Sequence, residues 1–285
     1  MLNLSGISVL DLTQRLPGPF ASKELLDLGA NVTKASPFKY EDSFSGSTDL
    51  IFREWYKGLN ENKKLLSYKE DELQALIEQH DIIIASSNFG IQDYSFDKKA
   101  VVLVGGSADK KPMHDLNALA KSRVFSLFTH SQDNKKIDPP FLPFAGILYG
   151  SKIALSCLAA WINTIQSQKT TIEELFLDIS VSKMLDLFWT RELQESGESK
   201  FLHNGLYPCY NIYQTKDKHY VALAAAEEHY WAKFCEIFNL SLKNEDRFDT
   251  SMETFNTLIN LFSGLSLNKI IQSAGDHKIC LSAVE

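Results

Sequence analysis

The chain has 285 residues, 44% of them hydrophobic and 23% charged, an ordinary balance for a globular protein of about two domains. Lys and Arg total 29 against 36 Asp and Glu, a formal net charge of -7. That balance argues against nucleic acid or an anionic membrane surface as the main partner, since both require a basic footprint.

In chain order, residues 1–6 carry neither a basic region nor a small-residue cleavage site, so no secretory signal is expected. The apolar run 7–12 predicts a buried strand. The Pro17-Gly18-Pro19 turn then leads into a helix over 21–28, with Pro19 in its first turn and Gly29 as its left-handed cap. Residues 31–35 predict the next strand. Strand, helix and strand in this order imply a parallel, Rossmann-like sheet. The connecting turn has only Gly18 where a dinucleotide fingerprint needs three glycines, so a nicotinamide cofactor is not expected.

Ser67 followed by Glu70 predicts a capping box ahead of Leu73, Leu76 and Ile77 on one helical face. Two further buried strands are predicted over 81–85 and 100–104, then a helix over 116–128 and a polar, proline-bearing loop over 129–142. A long helix over 145–165 follows. The apolar stretch 144–162 is interrupted by Ser151, Lys152 and Ser156, which favours a buried helix over a membrane span. A strand over 175–179 and a helix over 183–194 complete the first part. Residues 196–200 read as a linker, 209–213 and 219–224 as a hairpin, and Trp231, Phe234, Cys235 and Phe238 share one helical face. Cys157, Cys209, Cys235 and Cys280 lie far apart with no paired metal-ligand spacing, as reduced thiols of a cytoplasmic protein would. The expected architecture is α/β: a Rossmann-like parallel-sheet large domain over 1–195 and a small α+β domain over 196–285.

Four features could carry chemistry. His114-Asp115 follows a short loop after the 100–104 strand, at the strand end where open α/β sheets place ligands. A histidine there suits general acid–base work; a surface His beside a helix-capping Asp is the bland alternative. Glu227-Glu228 opens the small domain's first helix, where carboxylates favour the macrodipole. Asn60 to Lys64 is a polar turn whose two lysines could hold phosphates or simply be solvated. Gly18 would let a ligand approach the backbone closely, and a purely structural tight turn fits equally.

Taken in order, these segments resemble the family III CoA-transferases (the CaiB–BaiF family), and within it the racemase branch. The resemblance is carried by Leu4 to Leu12, Pro17-Gly18-Pro19-Phe20, Asp27 to Lys34, Asn60 to Lys64, His114 to Ala120, Tyr210 to Asp217 and Ala226 to Trp231. It implies a Rossmann-like large domain with a small domain, an interlocked homodimer, and an acyl-CoA thioester as substrate, with no separate cofactor and no metal. It also implies that a His held by a Glu of the small domain moves the α-proton of the acyl group. The His carries to His114, in the segment that includes Asp115, and the Glu to Glu227. Lys39, Asn60, Lys63, Lys64 and Gly18 are the residues the resemblance leaves for holding the CoA.

The chain departs from the family at three places. Pro143 stands at the family's carboxylate before Phe144-Ala145-Gly146, with Asp138 five residues upstream. Glu61 replaces the arginine of the polar turn, and Gly90 follows Phe89 where the family has another arginine. Family members also continue beyond the segment matched by residues 280–285, so the small domain is expected to be truncated relative to them. Two functions are compatible with this pattern: α-proton transfer on a 2-methylacyl-CoA-like thioester, and a catalytically degenerate relative that binds acyl-CoA or a partner subunit without turnover.

Overall fold

The computed structural model describes residues 3–37, 50–127, 140, 142–186 and 202–284. These fall into two compact units, one around a six-stranded sheet and one around a three-stranded sheet.

The larger sheet is wholly parallel. Its strands are β1 (Ser8–Asp11), β2 (Asn31–Pro37), β3 (Lys64–Tyr68), β4 (Ile82–Ser86), β5 (Ala100–Gly105) and β6 (Thr171–Phe176), in the order β3-β2-β1-β4-β5-β6. Central β1 pairs Leu10 with Thr33 of β2 on one side and with Ile83 of β4 on the other. The inner strands read as unbroken apolar runs because both faces are covered. Val9, Ile82, Ile84 and Val102 enter one core beneath the helices α1 (Pro17–Asp27) and α5 (Phe144–Ser167). Leu10, Ile83, Val101 and Leu103 enter the core on the opposite face, with Leu73 and Ile77 of α3 (Leu73–Glu78).

Helix α5 is long and apolar enough to cross a membrane by length and composition, and its Tyr149, Ile153 and Cys157 are buried in the first of these cores. The other helices of this unit are α2 (Leu50–Leu59), α4 (Asp115–Lys121) and α6 (Leu177–Leu185).

Several boundaries differ from the sequence expectations. The strand expected over 175–179 is the end of β6 followed by the first turn of α6. Asp178 ends the extended run: its Oδ1 accepts the Ile179 N–H at 2.8 Å and its Oδ2 accepts the Ser107 hydroxyl at 2.8 Å. The capping box lies two residues downstream of the expected one. Ser67 belongs to β3, and the Lys69 N–H donates to the Glu72 carboxylate at 2.8 Å. The helix expected over 116–128 stops at Lys121 because Arg123 takes left-handed backbone, φ 63°, before a short 3-10 turn over Val124–Leu127. Helix α6 ends at Leu185; residues 187–194, the linker 196–200, and most of the loop 129–142 lie outside the described residues.

The second unit carries the expected hairpin, β7 (Tyr210–Gln214) with β8 (Tyr220–Ala224), and an unexpected third strand, β9 (Leu281–Val284), antiparallel to β8. Helices α7 (Glu228–Ile237), α8 (Met252–Gly264) and α9 (Leu267–Ala274) complete it. Trp231, Phe234, Phe262, Val221 and Leu223 form its core.

Candidate active site

The chain leaves β1 toward β2 and β3 and returns on the other side of β1 to lay down β4. At such a reversal the helices diverge and leave a crevice at the carboxyl ends of the strands. A cavity of about 870 Å³ stands there, lined by Thr13 and Arg15 after β1, Ser86 of β4, Gly105 of β5, His114 and Asp115 at the start of α4, Pro143 just before α5 and Tyr149 within it. The Tyr149 hydroxyl donates to the Leu175 carbonyl at 2.7 Å and the Gly105 carbonyl at 3.1 Å, pinning α5 to the ends of β5 and β6. Burial holds its phenol well above the ordinary range, so it serves as a fixed wall.

Two of the lining groups, His114 and Asp115, carry side chains able to take up or release a proton. His114 precedes the first residue of α4 in extended conformation; its backbone N–H donates to Asn117 Oδ1 at 3.2 Å and its side chain is exposed. The Asp115 carboxylate turns away from its own helix and accepts the Gly146 N–H at 2.6 Å, at the amino end of α5. Burial raises the Asp115 carboxyl above its ordinary range, against the opposing pull of the Gly146 and Ala145 amides. Pro143 precedes α5 and gives no side-chain cap, so Asp115 supplies from another helix the carboxylate that this terminus lacks. At Gly146 the constraint comes from packing, since a Cβ there would come within 2.5 Å of Leu16 Cδ2.

Beneath the first turn lies a buried ionic cluster. Asp11 ends β1 fully buried; its carboxylate accepts the Thr13 N–H at 2.9 Å and the Thr13 and Ser22 hydroxyls. Lys34 and Lys63 stand 3.7 Å and 3.9 Å from it. Burial alone would raise the Asp11 carboxyl, but the two ammonium groups and the two hydroxyls hold it below its ordinary value. The Lys63 ammonium donates to the Pro19 carbonyl at 2.7 Å, the Ser22 hydroxyl at 2.8 Å and Asn60 Oδ1 at 3.0 Å. Burial lowers it to about 8.

The structure therefore redistributes the residues expected to hold a ligand. His114, Asp115 and Gly18 line one cavity. Gly18 is needed there chiefly for packing, since a Cβ would collide with the Thr13 side chain. Asn60 and Lys63 are buried outside this cavity: all three ammonium protons of Lys63 have protein acceptors, and Asn60 Nδ2 donates to the Tyr56 carbonyl. Lys64 opens β3, at the end of the strand opposite the cavity. Lys39 and Asp138 lie outside the described residues. Glu227 precedes α7 in the second unit, with its side chain exposed. Asp11 and Arg15 were missed; an acid closing an otherwise apolar buried strand was the readable signal for Asp11. Among the described residues no group of three or more His, Cys, Asp or Glu side chains stands together to hold a metal ion.

Human alpha-methylacyl-CoA racemase is 23% identical over 271 residues, covering 85% of this chain and 66% of that protein, so the chain spans just under two thirds of the curated relative's length. A CAIB/BAIF family protein from Brucella suis superposes with a TM-score of 0.77 at 14% identity, covering 100% of this chain and 85% of that one. A hypothetical protein from Mycobacterium tuberculosis gives a TM-score of 0.74 at 14% identity, covering 100% and 84%. At such identities these two likenesses concern the fold. The sequence profile of CoA-transferase family III matches residues 4–285, and the chain therefore belongs to CoA-transferase family III.

Proposed function

We propose that the cavity at the strand reversal binds an acyl-CoA thioester, and that His114 and Asp115 move the α-proton of its 2-methylacyl group. Coenzyme A enters as part of the substrate, with no resident cofactor. The observation that carries the reading is the Asp115 carboxylate standing at the amino end of α5, beside His114, in one cavity. Family membership and the name of the human relative support the substrate class.

Removing an α-proton from a thioester leaves an enolate. The base must therefore sit beside the α-carbon and be stronger than an ordinary solvated carboxylate. Burial gives Asp115 that added basicity. The proton passes from carbon to the Asp115 carboxylate, the electron pair delocalises onto the thioester oxygen, and the α-carbon then recovers a proton from Asp115 or from His114. Return from the same group preserves configuration; return from a group on the other face inverts it.

The test is incubation of a 2-methylacyl-CoA in heavy water, with the α-proton signal followed by NMR. The wild type is expected to exchange it, and His114→Ala and Asp115→Asn to slow exchange by roughly 100-fold or more. Pro143 favours one competing reading, in which the chain binds acyl-CoA without turnover. Tight binding with no exchange would establish that reading, and no thioester binding would sink both.

A further inference from the structure

Helix α4, which begins with Asp115, has seven residues and is too short to be stable without packing against its neighbours. Its first residue is tied to α5, where Asp115 accepts the Gly146 N–H at 2.6 Å. Its last residue, Lys121, donates to Asp178 Oδ2 of α6 at 2.5 Å. The same carboxylate oxygen accepts the Ser107 hydroxyl at 2.8 Å, and the Asp178 N–H donates to the Gly106 carbonyl at 3.2 Å. Gly106 and Ser107 open the segment that leads from β5 to His114. That segment doubles back on itself: a Cβ at Gly106 would stand 3.1 Å from the Cβ of Met113, the neighbour of His114. Asp178 therefore grips the chain on both sides of His114-Asp115.

We propose that Asp178 is a positioning residue, holding His114 and Asp115 at the cavity through Ser107 on one flank and Lys121 on the other; the chemistry it serves rests on the function proposed above. The His114 side chain is exposed, so its placement depends on the backbone that carries it. Asp178 is 2% exposed, and water cannot replace the partners its carboxylate would lose. Burial alone would raise that carboxyl, but Lys121, Ser107 and the Ile179 N–H hold it below its ordinary value, so it carries a full charge. Lys121 is about half exposed, and a pair between two exposed groups would be weak. Here the carboxylate is buried and three donors converge on it, which strengthens charge-assisted hydrogen bonds. Ser107 also lies 2.7 Å from Asp109 Oδ1, and its one proton serves one carboxylate at a time, which leaves Lys121 as the stronger tie. Neither Asp178 nor Lys121 lines the larger cavity. A misplacement of about 1 Å in a reacting group can cost roughly 100-fold in rate, so this clamp bears on the chemistry without touching the ligand.

The test follows α-proton exchange of a 2-methylacyl-CoA over a range of concentrations in the wild type, Lys121→Met, Lys121→Arg and Asp178→Asn. Melting curves check that each variant is folded, and hydrogen–deuterium exchange of the backbone amides is measured on the same samples. Lys121→Met and Asp178→Asn are each expected to lower kcat roughly tenfold while KM stays within about twofold. Lys121→Arg keeps the charge and is expected to recover most of the rate. Amides over 106–109 and 116–121 are expected to exchange faster in Lys121→Met and Asp178→Asn, with those of β1 unchanged. Unchanged amide exchange in folded Lys121→Met would overturn the proposal. So would an active wild type whose variants keep kcat or change only KM, or a loss of rate that Lys121→Arg does not recover. A wild type without α-proton exchange, whose Lys121→Met still loosens both flanks, would instead uphold the clamp and remove the function proposed above.

Discussion

Asp11, Lys34 and Lys63 place one negative and two positive groups where water is absent, and each depends on the others. Removing one member of such a cluster leaves uncompensated buried charge, so Asp11→Asn is expected to cost roughly 3–5 kcal/mol in urea unfolding. The signs of the pH dependence differ between the groups. Lys63 is lowered from 10.5 to about 8, so above pH 8 the unfolded chain holds a proton that the folded chain has released, and this residue's contribution to stability rises with pH up to about 10.5. Asp11 is lowered, so its contribution is present above its ordinary value of 3.8 and is lost as the pH falls below that. Buried Cys157, Cys209 and Cys235, with thiols pushed upward, work against Lys63 above pH 9. The measurement is therefore a difference: wild-type minus Lys63→Met unfolding free energy should climb between pH 8 and 10, and a flat difference would refute the shift. At Gly18 the constraint is steric. A Cβ would strike Thr13, which bonds Asp11, so Gly18→Ala should destabilise by about 1–3 kcal/mol in the same assay.

Helix α5 illustrates how an element is completed from outside its own sequence. Pro143 begins it without a side-chain cap, and Asp115 supplies the acceptor. Asparagine keeps a carbonyl oxygen for the Gly146 amide and loses the titrating carboxyl, whereas alanine loses both. Asp115→Asn should therefore melt close to the wild type yet fail in α-proton exchange, while Asp115→Ala should lose about 1 kcal/mol as well. Failure of both variants in stability alone, with exchange intact, would make Asp115 a cap and nothing more. At its other end α5 stops at Gln168, which holds left-handed backbone at φ 57° and ψ 28°. Glycine takes that conformation freely, so Gln168→Gly should gain about 0.5–1 kcal/mol, read from urea midpoints.

The strands divide the same way. β1, β4 and β5 are legible because strands buried on both faces read as continuous apolar runs. β3 at one edge and β6 at the other carry exposed polar positions, as at Glu173 and Glu174, and such edges dilute the signal. β9 is four residues long, and its pairing with β8 joins segments more than fifty residues apart, so no local pattern announces it.

At the scale of the whole molecule, the strand order places the ends of β1, β4 and β5 together and so gathers residues as distant as Thr13, Ser86, His114 and Tyr149 around one cavity. A ligand that fills it binds only the folded chain. An acyl-CoA at 100 times its Kd should therefore stabilise the protein by about 2.7 kcal/mol, seen as a rise in Tm. Hydrophobic periodicity and turn chemistry are local, which is why the sequence by itself determined the parallel α/β core and the hairpin, while the order of the matching segments along the chain pointed to the family. Which lysine meets a ligand and which carboxylate meets α5 depends on distance, burial and competing partners across the chain. Only the tertiary structure decided that Lys63 and Asn60 belong to the interior, that Asp115 caps a helix thirty residues away, and that Asp178 meets both Ser107 and Lys121. Burial sets the stakes: a charge in the core must be matched by whatever groups the fold brings beside it, and no spacing in the sequence specifies those neighbours.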